Sequence, residues 1–229
     1  MERQKKITAD GSHTMLEPDL DVTYHSIYGA IQESRHVYIQ SGLHYLITQT
    51  NIASVNILEV GFGTGLNALL TLLEAKEKNR SVYYHAIEPF PLNAQESSGF
   101  NYCVLLNRQG SEAAFKQMHQ SLWNTSLTLS PAFSLYKDLT TVQEFQTPQL
   151  FNLLYYDAFA PTVQPELWTT KVFKKLFNCM EPGGVLVTYC SKGAVRRALT
   201  EAGFGVEKIP GPTGKREMIR AAKELLPVK

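Results

Sequence analysis

Glu59-Val60-Gly61-Phe62-Gly63-Thr64-Gly65 is the stretch that decides how this chain is read. A β-prone run at 55–60 leads into it. A helix at 66–78, with Leu66, Leu69, Leu70 and Leu73 on one face, leads out. Glycine at every second position lets the backbone turn tightly where side chains would block a ligand, so the strand, loop and helix form a nucleoside-site candidate. Taken alone, the same loop also serves as a purely structural turn. A nicotinamide-dinucleotide fingerprint needs its third glycine where Leu66 stands.

The pattern continues toward the carboxy terminus. A strand at 82–87 runs into Glu88, and Pro91 opens a helical stretch to about residue 98. Residues 100–125 read as a longer helical insertion. Strands at 133–136 and 151–156 run into Asp138 and Asp157, and a strand at 184–190 follows the turn Pro182-Gly183-Gly184. Helices around 165–180 and 192–202 separate these strands. Two strand-like pieces within 205–222, flanking Pro210-Gly211-Pro212-Thr213-Gly214, read as a closing β-hairpin. Strands alternating with helices predict an α/β fold with a doubly wound, mostly parallel sheet, whose ligands lie outside the carboxyl ends of the strands. Glu88, Asp138 and Asp157 all fall at such ends.

Sequence character changes near residue 52, which divides the chain into an N-terminal appendage at 1–51 and a main domain at 52–229. In the appendage Asp10-Gly11-Ser12-His13 signals a turn, Val22-Thr23-Tyr24 and His36-Val37-Tyr38-Ile39 are β-prone, and a helix is expected from about 42 to 50. The 229 residues, 44% hydrophobic and 19% charged, are enough for one globular catalytic domain. No apolar run approaches the roughly 20 residues of a membrane span. Met1-Glu2-Arg3-Gln4-Lys5-Lys6 is followed by Ile7-Thr8-Ala9-Asp10 rather than by an apolar stretch, so no secretory signal is read and a cytoplasmic location is expected. Cys103, Cys179 and Cys190 have no metal-ligand spacing and read as reduced thiols, and no metal is expected. The net charge is +1, but residues 151–229 hold 12 Lys/Arg against 7 Asp/Glu, while residues 1–150 hold 10 against 14. Either a carboxy-terminal basic face or ordinary solvated helix faces would give that count.

Glycine at alternate positions after an acidic residue resembles motif I of class I methyltransferases, which favours S-adenosylmethionine over NAD. Behind Gly61, Gly63 and Gly65, Glu88 is suited to accept two hydrogen bonds from vicinal ribose hydroxyls, and Asp138 to meet an adenine amino group. Glu59 either contacts the methionine amino group or braces the glycine turn. Asp157-Ala158-Phe159-Ala160-Pro161 puts a carboxylate, a ring and a turn at the mouth of this crevice. Methyl transfer from a sulfonium needs a nucleophile placed about 3 Å from the methyl and relieved of its proton. Asp157 is the candidate acceptor of that proton and Phe159 the candidate stacking ring; the bland alternative makes Asp157 a helix cap.

Gly61-Phe62-Gly63-Thr64-Gly65-Leu66-Asn67, Glu88-Pro89-Phe90-Pro91, Asp157-Ala158-Phe159-Ala160-Pro161 and Lys215-Arg216-Glu217-Met218 together resemble the methyltransferase domain of MnmC and its standalone form, MnmD. Gly29, Glu33-Ser34 and Val37-Tyr38 extend the resemblance into the appendage. It implies a class I (Rossmann-like) methyltransferase fold, with Asn67 joining Glu59, the three glycines, Glu88, Asp138 and Asp157 at the S-adenosylmethionine site. The implied reaction is N-methylation of 5-aminomethyluridine, commonly its 2-thio form, at the tRNA wobble position. FAD, which serves a separate oxidase domain in MnmC, is not expected here. Ala158 stands where glycine is frequent in the family, and the segment before Lys215-Arg216 is less basic than in some relatives. Lys192, Arg196, Arg197, Lys215 and Arg216 are the candidates for phosphate contact with the anticodon stem-loop, and loop aromatics for base stacking. Two other readings stay open: a methyltransferase of the same fold acting on a small-molecule amine, and a non-catalytic nucleotide-binding module.

Overall fold

A computed structural model describes residues 2–224. Eleven strands form two sheets. The larger has the order β10-β11-β9-β8-β4-β5-β7-β6, built from β4 (Ser54–Val60), β5 (Ser81–Ile87), β6 (Ser126–Ser130), β7 (Phe133–Asp138), β8 (Phe151–Tyr156), β9 (Met180–Thr188), β10 (Gly205–Pro210) and β11 (Glu217–Ala222). Strands β7, β5, β4, β8 and β9 are parallel in succession, while β6 and the β10–β11 hairpin pair antiparallel. The chain winds outward from β4 to β5 and β7, then returns to β8 on the other side of β4. Between β4 and β8 lies the switch point at which doubly wound sheets bind ligands. The expected sheet and closing hairpin are both present.

Parallel strands need both faces covered, and the sequence meets this with nearly continuous apolar runs. Ile57, Leu58, Leu153, Leu154, Leu186 and Val187 are fully buried. On one face lies a helix spanning residues 30–50 (α1), together with α2 (Leu66–Glu77), α3 (Ala94–Ser97), α4 (Tyr102–Leu106) and α5 (Ser111–Gln120). On the other lie α6 (Thr170–Asn178) and α7 (Gly193–Ala202). In the small sheet β1 (Gln4–Ile7), β2 (His13–Glu17) and β3 (Val22–Thr23), the turn at Asp10-Gly11-Ser12 joins β1 to β2, and Met15, Val37, Tyr38 and Leu43 share a core with β8 and β9.

Four expectations are corrected. His36-Val37-Tyr38-Ile39 is helical: α1 runs as α-helix over Ala30–Ser34, π-helix over Arg35–His44 and α-helix over Tyr45–Thr50. Val37, Tyr38 and Ile39 are at most 2% exposed, and three consecutive buried, β-prone residues in a π-helical stretch do not show the 3.6-residue period that would reveal a helix. Gly42 lets α1 approach the sheet, since a Cβ there would lie 3.0 Å from Val187 and 3.2 Å from Tyr155. The insertion at 100–125 is two helices broken at Asn107 and Gly110, both at positive φ. Pro91 precedes the helix rather than opening it. Asn93 is the cap, accepting from the Gln95 and Glu96 amides while Glu96 accepts from Asn93 N–H. Finally, β9 begins at Met180, so the Pro-Gly-Gly turn lies inside a strand whose register with β8 shifts between Phe151 and Leu153. β1, β2 and the edge strand β6 carried no sequence signal strong enough to read.

No helix among the described residues is long and apolar enough to cross a membrane. The three cysteines are free, with Cys190 buried and the other two half-buried.

Candidate active site

At the carboxyl ends of β4, β5 and β8 the chain encloses a cavity of about 490 Å³. Gly61, Gly63 and Asn67 line it on one side, Glu88, Pro89 and Phe90 on another. Ile87, Val142, Ala158, Phe159 and Leu167 supply apolar walls, and Arg3 and Glu17 from the small sheet reach the rim.

The loop's shape is dictated by its glycines. Gly61, Gly63 and Gly65 have φ of 95°, 50° and 73°. At Gly61 the approach is also too close for any side chain, because a Cβ would lie 2.7 Å from the Asp157 carbonyl oxygen. That contact stitches the ends of β4 and β8 together, supported by Asp157 N–H donating to Val60 O at 3.0 Å. Glu88 fastens the loop from β5: one carboxylate oxygen accepts from Gly63 N–H at 3.0 Å, the other from Phe90 N–H at 2.9 Å. Burial raises the Glu88 carboxyl, and these two bonds oppose the rise. Each oxygen keeps a second lone pair for a ligand diol.

Phe62 anchors the same loop from behind. Its ring packs against His119 and Trp123, with the Lys137 ammonium 4.7 Å from the Trp123 centroid and 5.8 Å from that of Phe62. Lys137 Nζ donates to Met118 O at 2.6 Å and Ser121 O at 2.9 Å, satisfying carbonyls at the end of α5. Burial lowers Lys137 to about 8 and His119 to about 4, so at neutral pH the imidazole is uncharged and Nε2–H donates to Thr64 O at 3.0 Å. Lys137→Met is expected to weaken S-adenosylmethionine binding about 3- to 10-fold, the part of a charged hydrogen bond's roughly 1.5–3 kcal/mol that a loosened loop passes on to its ligand. Calorimetric titration checks this; unchanged affinity would show that the loop holds its shape without this support.

Asp157 follows the last residue of β8 and caps no helix: the 3-10 turn Pro165–Trp168 begins after Gln164, and the cap of α6 is Thr169, accepting from Val172 N–H. That removes the reading of Asp157 as a helix cap. One carboxylate oxygen accepts from the Tyr38 hydroxyl at 2.5 Å and the other from Asn67 Nδ2 at 2.8 Å. Asn67 also donates to Glu59 at 2.9 Å. Burial, chiefly, and the nearby Glu33 charge raise Asp157 to about 7, against the Tyr38 and Asn67 bonds and the Lys215 charge. Glu59 is fully buried outside the cavity lining, so it braces Asn67, and burial raises its carboxyl well above the usual range. Phe159 faces the cavity edge-on to Tyr24, with centroids 5.1 Å apart.

Glu88, Asn67, Asp157, Phe159, Gly61 and Gly63 all line the cavity, whereas Gly65 lies outside the lining against Phe62 and His119. Asp138 also lies outside it: it ends β7, with its carboxylate 3.3 Å from His85 Nε2. Lys192, Arg196, Arg197 and Arg216 are exposed, the first three at and along the start of α7. Lys215 is instead committed to Glu33, at 2.7 Å. Tyr24, Tyr38, Glu33 and Tyr189 were not singled out for roles from sequence. Glu33 and Tyr38 lie in the resembling block of the appendage, which was the available signal.

The site fits S-adenosylmethionine on its own chemistry. The close-approach glycines leave room for a ligand, Glu88 offers carboxylate lone pairs to a diol, and the walls are apolar. Asn67 Oδ1, on a residue that lines the cavity, is a buried polar atom with no partner among the described residues. Residues 114–224 match a family described as S-adenosyl-L-methionine-dependent methyltransferase. MnmC2 from Aquifex aeolicus is similar in fold over 100% of this chain and 73% of its own, with a TM-score of 0.81 at 24% identity. Spermidine synthase from Thermotoga maritima aligns over 100% of this chain and 74% of its own, with a TM-score of 0.51 at 12% identity.

The doubly wound sheet with a glycine loop at its switch point is the fold shared with MnmC2, and residues 114–224 carry the match to the methyltransferase family.

Proposed function

We propose that the chain methylates the amine of 5-aminomethyluridine, commonly 2-thiolated, at the tRNA wobble position, giving the 5-methylaminomethyl form. The observation that carries this is Asp157, a recessed carboxyl held near neutrality beside the cofactor cavity. Gly61, Gly63, Asn67 and Glu88 would hold S-adenosylmethionine, which supplies an electrophilic methyl group on a sulfonium. An amine attacks only through its free lone pair, and it leaves the reaction with one proton too many. Asp157 accepts that proton, and Tyr38 and Asn67 keep its two oxygens oriented. Phe159, paired with Tyr24, offers a ring face to a splayed base, as single-stranded recognition requires. Lys192, Arg196, Arg197 and Arg216 supply phosphate contacts that position without reading sequence. The resemblance to MnmC and MnmD supports the choice of acceptor.

Because Asp157 acts as carboxylate, turnover is expected to rise with pH through about 7, the value to which burial lifts it. Stability runs the other way. The folded value lies above the usual 3.8, so the contribution from Asp157 is complete below about pH 4 and is lost as pH rises through about 7. The thermal midpoint of the wild type should therefore fall more steeply between pH 5 and 8 than that of Asp157→Asn. Parallel slopes would contradict a raised carboxyl. The substrate is tested with labelled S-adenosylmethionine and tRNA carrying 5-aminomethyluridine: stoichiometric label at the wobble base supports the proposal, and label appearing only in a small amine such as a polyamine would replace it.

A further inference from the structure

Asp157 has a second side. Away from the cofactor cavity it meets a cluster that contributes nothing to the cavity lining: Glu33, Tyr38, Tyr189 and Lys215. The Glu33 side chain is 8% exposed. One of its oxygens accepts from Ser26 N–H and the other from Lys215 Nζ, each at 2.7 Å. The Lys215 ammonium lies 4.0 Å from the centroid of the Tyr189 ring, and the Tyr189 hydroxyl donates to Ala158 O at 2.9 Å, one residue from Asp157. The loop bearing Lys215 is itself fixed: Gly214 has φ of 85°, and the Tyr28 ring fills the space a side chain would take. A lysine serving tRNA phosphate needs a free, solvated end. Lys215 has a buried anion, an aromatic face and a clamped loop.

We propose that Glu33 and Lys215 are positioning residues that act as an opposed pair on Asp157, Lys215 favouring its ionised form and Glu33 anchoring Lys215 while limiting that effect. This rests on the reading of Asp157 as the proton acceptor. With both present, their fields on Asp157 oppose each other, that of Glu33 being the larger. Without Lys215, two carboxylates share one recess and Asp157 takes up its proton more readily; without Glu33, the remaining cation makes it release the proton more readily. The other groups facing Asp157 are Tyr38 from α1, Asn67 from α2, Glu59 from β4, Tyr84 from β5, whose phenol is also raised by burial, and Tyr189 after β9. Burial lifts Tyr38 and Tyr189 well above 10, so neither titrates near neutrality. Glu59 is unchanged in every variant. Cys190, which also feels Lys215, is raised by burial and stays a thiol at neutral pH.

The test titrates Asp157 in the full chain by its carboxyl ¹³C chemical shift, assigned by its loss in Asp157→Asn, and follows the acid limb of methyl transfer to tRNA carrying 5-aminomethyluridine. Lys215→Met should raise both midpoints by about 1 pH unit, and Glu33→Gln should lower both by a similar amount, the size expected for one nearby charge. The double variant should return toward wild type, and Lys215→Arg should stay near it. Circular dichroism checks folding, with Lys215→Gln standing in should Lys215→Met not fold. An unmoved midpoint in Lys215→Met, with the salt slope of tRNA affinity reduced by about one charge, would overturn the proposal and return Lys215 to phosphate contact. Shifts of the two single variants in the same direction would also overturn it. Full turnover in Asp157→Ala would instead remove the reading beneath it, and the ¹³C midpoints would still report whether the pair acts on Asp157.

Discussion

Asp157→Ala is expected to lower methyl transfer by at least about 100-fold while cofactor binding survives, the size typical of losing a positioned acid–base group. The alanine removes the carboxylate that accepts from Tyr38 and Asn67, and with it the proton acceptor at the end of β8. It leaves Glu88 bonded to Gly63 and Phe90, the glycine backbone in its positive-φ shape and the apolar walls of the cavity. Single-turnover transfer to tRNA, paired with calorimetric titration of S-adenosylmethionine, separates the two effects. Unchanged transfer would strip Asp157 of its role, and loss of binding in step with transfer would make it a cofactor ligand first.

Gly61→Ala should do the opposite: abolish binding and, through binding, turnover. Its φ of 95° costs an alanine about 1–2 kcal/mol. The new methyl group would also meet a backbone carbonyl at 2.7 Å, which no rotamer change relieves. The ends of β4 and β8 must then separate, at the switch point where the ligand sits. Affinity should drop at least 10-fold, with a lower thermal midpoint of roughly 2–4 °C for each kcal/mol lost. Gly63→Ala provides the internal comparison: there a Cβ meets the Tyr24 ring at 3.1 Å and φ is 50°, so a milder loss is expected. Wild-type affinity in Gly61→Ala would mean that the loop does not form the cofactor site.

These variants fall at residues that could be read from sequence for a physical reason. Parallel strands buried on both faces give apolar runs, their carboxyl ends are marked by acids and glycines, and the strand-to-helix change of period brackets the loop. Where a helix departs from the α period, as the π-helical Arg35–His44 does, that signal disappears. Residues 30–50 therefore read partly as strand, and Tyr38 and Glu33, which complete the surroundings of Asp157, were not assigned roles. Asp138 shows a different limit: its place at a strand end was read correctly, but His85 on the neighbouring strand determines where its carboxylate turns. Lys215 shows a third, since a cation in a basic segment reads as a surface group until the fold brings Glu33, 182 positions away, to meet it.

The most direct test of the account is wobble-nucleoside mass analysis of tRNA incubated with the purified protein and S-adenosylmethionine, starting from tRNA that carries 5-aminomethyluridine. The account predicts conversion to the 5-methylaminomethyl form, a gain of one methyl group on the exocyclic amine, with none in Asp157→Ala. Wobble nucleosides that stay unmethylated under conditions where the cofactor demonstrably binds would contradict it.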